Sequence, residues 1–221
     1  MDIFNEEKIK QPKTLQQIAY DKIKYLLTSG KLEPNEVYSA NKLAQMLGVS
    51  RTPIREALLQ LTAEGLLRSL GRRGFQVNQF SRKQIRDLFE VRRLVEPFVI
   101  ERMCGQLTEK ELAPLISAME QAEKGKKKDF NRFIEADKQF HMMIIKWHGN
   151  EIFWNVMENV RDLISVLGLR AISRSGRMQE VLQEHQVIVD GLLQNDKKKA
   201  VKGIIDHLNS TEATLINSME V

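Results

Sequence analysis

Four side chains in the second half of the chain could share one ion. Asp137 and His141 stand four residues apart in a helical run. That puts them about 40° apart around the helix axis, so the pair faces one way and makes half of a coordination shell. His185 and His207 each fall in a separate later helix. A bundle that gathers these three helices produces an aspartate and three-histidine set with positions open to water or a ligand. Taken singly, a histidine is more often an ordinary core or surface residue, and His148 is the remaining one.

The elements that must position them are helices. From Ser81 onward apolar residues recur at helical spacing with essentially no strand alternation, predicting helices over 82–104, 109–124, 129–147, 151–172, 178–194 and 196–218. Ser81 with Gln84 forms a capping box for the first of these, and Pro97 inside it should bend it. The lone Cys104 cannot make an internal disulfide and is read as a buried small apolar residue. The Lys126–Lys128 and Lys197–Lys199 runs are read as solvated surface at helix junctions.

The first third has a different pattern. Leu15, Ile18, Ile23, Leu26 and Leu27 predict a helix starting near Thr14 and ending at Ser29 and Gly30. Between Ser39 and Asn78, helical spacing on either side of Leu47-Gly48-Val49-Ser50 predicts two short helices and a tight turn, a helix-turn-helix. Ser50 is expected to cap the second helix, Pro53 lies in its first turn, and Arg51, Thr52 and Arg55 crowd the end that a recognition helix presents to the major groove. Two short strands around Gly71-Arg72-Arg73-Gly74 then read as a basic wing. The alternative is a helical pair followed by a solvated, arginine-rich turn.

A chain of 221 residues is long for one compact domain, and a division into 1–78 and 79–221 is expected. Of the net charge of +5, residues 1–77 carry +4, with 12 Lys and Arg against 8 Asp and Glu, which suits a polyanion partner. The amino terminus lacks a signal-peptide pattern, and no stretch approaches the roughly 20 apolar residues of a membrane span, so no membrane partner and a cytoplasmic location are expected.

LAQMLGVSRTPIREALLQLTAEGLL followed by GRRGFQV resembles the winged-helix domain of the GntR superfamily of bacterial transcription regulators. The resemblance implies that Arg51, Thr52 and Arg55 contact DNA, that Arg72, Arg73 and Gly74 set the wing on the duplex, and that Asn41 stands where some relatives carry a DNA-contacting arginine. Asp137-Lys138-Gln139-Phe140-His141, Glu184-His185 and His207-Leu208, with Gly149-Asn150, resemble in order and spacing the FCD ligand-binding domain of the FadR subfamily. That domain is an antiparallel helical bundle, and in many members the matching aspartate and histidines hold a divalent metal, commonly zinc, with nickel or manganese in others. The resemblance makes Asp137, His141, His185 and His207 the ligands and Arg92 the pocket arginine that grips a small organic acid. An Arg92–Glu96 surface pair is the alternative.

The expected fold is therefore mainly α: an N-terminal winged helix-turn-helix of three helices and a small β-hairpin wing, then a C-terminal all-α antiparallel bundle. The expected function is a homodimeric regulator, in its commonest form a repressor, that binds pseudo-palindromic double-stranded operator DNA and senses a small carboxylate through a metal-containing pocket. A metal-dependent hydrolase, and a regulator whose metal is purely structural, remain as alternatives.

Overall fold

The computed structural model describes residues 12–125, 130–172 and 176–219. Ile3, Phe4, the Lys126–Lys128 run and Ser173–Ser175 lie outside them. Helix α1 (Leu15–Thr28) is capped by the Thr14 hydroxyl, which accepts from the Gln17 N–H. Helix α2 (Ala40–Leu47) has Ser39 in the same role and closes on Gly48 in the left-handed conformation. Helix α3 (Arg51–Ala63) buries Ile54, Ala57, Leu58 and Leu61 against α1 and α2.

The cap of α3 departs from expectation. Ser50 occupies the cap position but its hydroxyl makes no capping bond. The N–H such a hydroxyl commonly receives belongs to the third helical residue, here Pro53, which has none.

Strands β1 (Leu67–Ser69) and β2 (Phe75–Val77) pair antiparallel, with a 3₁₀ turn at Gly71–Arg73 between them. Tyr38 bridges to Phe75 and ties the wing to the approach of α2. Gly74 makes this possible: its φ is +124°, and a Cβ there would lie 2.6 Å from the Tyr38 carbonyl oxygen.

Six helices follow: α4 (Arg82–Met103), α5 (Glu109–Gly125), α6 (Phe130–His148), α7 (Glu151–Ile172), α8 (Arg177–Leu193) and α9 (Lys197–Asn217). The capping box at Ser81 and Gln84 is formed, and α4 runs through Pro97 without a break in the helix. Cys104 caps its end and is half-buried rather than buried, because α4 stops there and the chain turns toward the surface. Lys197 and Lys198 are exposed, and Lys199 is half-buried.

Helices α8 and α9 approach closely because Gly191 faces Ala200, where a Cβ would come within 2.6 Å of backbone, and Gly203 faces Ile188. This contact sets His185 beside His207. One apolar cluster runs from Ile23 and Leu58 through Phe80 and Ile85 into the helical half, and a smaller one gathers Phe133, Ile134, Met178 and Val181. Among the described residues, no helix is long and apolar enough to cross a membrane.

Candidate metal centre and nucleic-acid interface

Asp137, His141, His185 and His207 converge from α6, α8 and α9, their ligand atoms all within 4.8 Å of one another. The three histidines are buried and Asp137 is half-buried. His141 Nε2 lies 3.1 Å from His207 Nε2 and 3.7 Å from Asp137 Oδ1, while His185 Nε2 lies 3.4 Å from the same oxygen. Neighbouring ligands of a tetrahedral ion at about 2.0–2.1 Å stand roughly 3.3 Å apart, and these three pairs are already near that spacing.

Protonation reinforces the fit. His141 Nδ1 is 2.7 Å from Glu96 Oε2, and His207 Nδ1 is 2.7 Å from Glu184 Oε2. A carboxylate accepting the Nδ1 proton of each ring would leave Nε2, which faces the other ring, as the atom able to ligate a metal. Among the described residues, His185 Nε2 is buried with no hydrogen-bond partner. Burial, then the neighbouring His207, pushes the His185 pKa far below the ordinary histidine value; burial, then His141, does the same to His207. Burial opposes the charge on Asp137, but Arg161 and the surrounding histidines hold its carboxyl well below the usual carboxylate range. His185 and His207 held neutral, with the Asp137 carboxylate and the His141 ring beside them, are a donor set suited to a divalent metal.

Arginine–carboxylate pairs frame this set. Arg92 is fully buried, bonded to Glu96 at 2.7 Å, with Nη2 at 3.1 Å from both ring nitrogens of His141, so the surface-pair alternative is excluded. Among the described residues, its Nη1 is buried without a partner. Arg161 holds Asp137 Oδ2, and Arg177 bonds both oxygens of Glu184, at 2.8 and 3.0 Å. Sequence reasoning missed Glu96, Glu184, Arg161 and Arg177 as supports. Glu184 sits next to a ligand in sequence, yet it serves the histidine of the neighbouring helix. His148 stands apart, packed on the rings of Phe98 and Phe153.

A cavity of about 50 Å³ opens beside Asp137, lined also by Arg161 and Arg177. Arg92 does not line it.

At the other end, Asn41, Arg51, Arg55, Arg72 and Gly74 line one groove between α2, α3 and the wing. Thr52 and Arg73 are exposed just outside it. Among the described residues, Arg51, Arg55, Arg72 and Arg73 have no ion-pair partner, which leaves the cations open to phosphates and base edges. Gly74, although in the groove, is buried, so it shapes the wing rather than offering a side chain. Leu59, missed in the sequence, also lines the groove and is 48% exposed, one turn beyond Arg55 on the same stripe.

Residues 15–77 match the family described as bacterial regulatory proteins, gntR family, and residues 87–210 match the FCD domain. The chain belongs to the GntR family and carries an FCD domain. It is similar to the gluconate operon transcriptional repressor of Bacillus licheniformis, 27% identical over 95% of this chain and 88% of that protein. Its fold is shared by Escherichia coli McbR/YncC, with a TM-score of 0.83 at 21% identity, covering 94% of this chain and all of that one. The helical half resembles the Zn²⁺-bound FCD domain of TM0439, with a TM-score of 0.53 at 22% identity over 64% of this chain and 98% of that one. This GntR-family chain is a DNA-binding transcriptional regulator.

Proposed function

We propose that the chain is an acid-responsive repressor, acting as a homodimer, in which a divalent metal, zinc in the first instance, is held by Asp137, His141, His185 and His207. The observation that carries this reading is the approach of His141 Nε2 to His207 Nε2 at 3.1 Å, beside a His185 Nε2 with no hydrogen-bond partner among the described residues. The zinc reported for the TM0439 domain supports the choice of metal. The ion would supply a Lewis-acid position for an oxygen ligand. Anion preference follows from charge: Arg92–Glu96, Arg161–Asp137 and Arg177–Glu184 are already balanced, so a bound dication leaves positive charge that an acid offsets. Arg92 Nη1 keeps a donor for that acid. Glu96 and Glu184 are both committed to histidines, and Asp137 to Arg161, which leaves none of them free as the general base that a hydrolase reading needs.

Arg51, Thr52, Arg55, Asn41, Arg72 and Arg73 would contact operator DNA, with the division between binding and sensing parts at Asn78 and Gln79. The sensor can reach them through α7. Lys24 of α1 bonds Asp162 at 2.5 Å, Asp162 also holds Lys138 at 2.6 Å, and the preceding residue, Arg161, holds Asp137. Asn159 donates to the Glu64 carbonyl at the end of α3. A ligand that binds more tightly to one placement of α7 shifts the recognition helix with it. Dimerisation is supported by exposed apolar residues on α4 and α7, namely Leu94 at 71% and Ile152 at 69%, next to Phe98 and Val156.

The test is binding of the full chain, with zinc present, to duplexes selected from a random pool, measured by fluorescence anisotropy across a panel of small carboxylates. A selective change in DNA affinity that disappears on chelation, with the fold retained, supports the reading. An acid response that survives chelation leaves the metal a structural role, and no response to any acid removes the sensor.

A further inference from the structure

Arg51, Arg55 and Leu59 stand four residues apart along α3 and line the same groove against the wing. Four residues turn a helix by about 400°, so the three form one stripe that drifts by about 40° at each step. The neighbouring exposed stripe, Thr52, Glu56 and Gln60, stops short. Gln60 accepts from Gln16 of α1 at 2.9 Å and donates to Glu64 at 3.1 Å, which ties it away from the groove. Past Arg55 the reading face therefore continues through Leu59, a large apolar side chain that is nearly half exposed. Phe75, the other large apolar residue of the groove, is buried.

Asn41 and the arginines address hydrogen-bonding groups. The major groove also carries one apolar marker, the 5-methyl group of thymine. Against any other base edge, Leu59 would desolvate a donor or acceptor without replacing its hydrogen bond. We propose that Leu59 is a specificity-determining residue that reads the 5-methyl group of one operator thymine by direct apolar contact. Four residues advance about 6 Å along α3 and base pairs stack about 3.4 Å apart, so that thymine lies within about two base pairs of the base that Arg55 contacts. The proposal rests on the assignment of Arg51 and Arg55 to operator contact and adds an apolar readout to it.

Duplexes selected from a random pool with the full chain supply the probe. Uracil then replaces each thymine of the selected site in turn, which removes the methyl and keeps the pairing, and affinity is read by fluorescence anisotropy at fixed salt. One position should lose about fourfold, the worth of one buried methyl. Leu59 lies outside the apolar core, so its variants fold. Leu59→Ala should bind the thymine and uracil duplexes equally at that position, while Leu59→Met, still apolar and of similar size, should keep the difference. A selected site without thymine, uracil tolerated at every position, or a uracil penalty that persists in Leu59→Ala overturns the proposal. Arg51→Ala separates the two levels. If it weakens binding while uracil is tolerated, the arginine contacts stand and only the leucine readout falls; if it does not, the placement of α3 on the bases falls as well.

Discussion

Replacing Glu184 with Gln separates a metal ligand from a buried histidine that merely looks like one. Glu184 accepts from His207 Nδ1 at 2.7 Å, and its two oxygens take both Nη atoms of Arg177. A glutamine of the same shape cannot satisfy both neighbours. With its oxygen toward His207, its NH₂ faces the Arg177 guanidinium; with the NH₂ toward His207, the imidazole proton moves to Nε2 and points into the ligand set. Loss of such a support typically costs 10–100-fold in metal affinity, about 1.4–2.7 kcal/mol. At fixed free zinc the stabilisation that zinc confers falls by the same amount, about 3–11 °C of melting temperature for a chain of this size. Calorimetry of wild type and Glu184→Gln, each with zinc and with chelator, isolates this difference from any effect on the metal-free fold. His148→Ala, remote from the set, is the control. A zinc-dependent gain in Glu184→Gln equal to that of wild type would refute His207 as a ligand through Nε2.

Further outcomes follow from other parts of the molecule. Arg51→Ala should weaken operator binding by about 1–3 kcal/mol, read by anisotropy, while the melting temperature stays nearly unchanged, because the side chain is exposed and unpaired. In chelator, stability should be complete above about pH 6.5 and decline as pH falls below it. The folded state keeps His185 and His207 neutral while the unfolded chain protonates them, so the unfolded state binds more protons, and the slope reaches up to about 2.7 kcal/mol per pH unit for the two groups. Urea titrations at pH 5, 6 and 7 check this, and a flat profile contradicts it. Leu94→Glu combined with Ile152→Glu should yield monomers in sedimentation with helicity intact; an unchanged dimer places the contact elsewhere.

What could be read from the sequence was what local rules decide. Helical spacing located α4 to α9 to within about a residue, and the Gly48 turn with Arg51 and Arg55 located the recognition helix, because periodicity and turn chemistry act over a few residues. The cluster of Asp137 with three histidines was half legible. Asp137 and His141 share a helix face by arithmetic, but the meeting of His185 with His207 depends on Gly191 and Gly203 letting α8 and α9 close up, which no spacing rule reports. Ser50 failed as a side-chain cap for a reason present in the sequence: the residue three places on is Pro53. The supports were illegible because each acts across helices. Glu184 lies about 100° around α8 from His185, so it could not be aimed at the same ion, and only the structure shows that it serves His207. Lys24 and Asp162 are farther apart still, one on α1 and the other on α7, and nothing around either marks it as half of an ion pair. Yet Asp162 adjoins Arg161, which holds Asp137. Two adjacent residues of one helix thus reach Asp137 and the DNA-binding part, and under the proposed reading α7 is where a ligand would act on both.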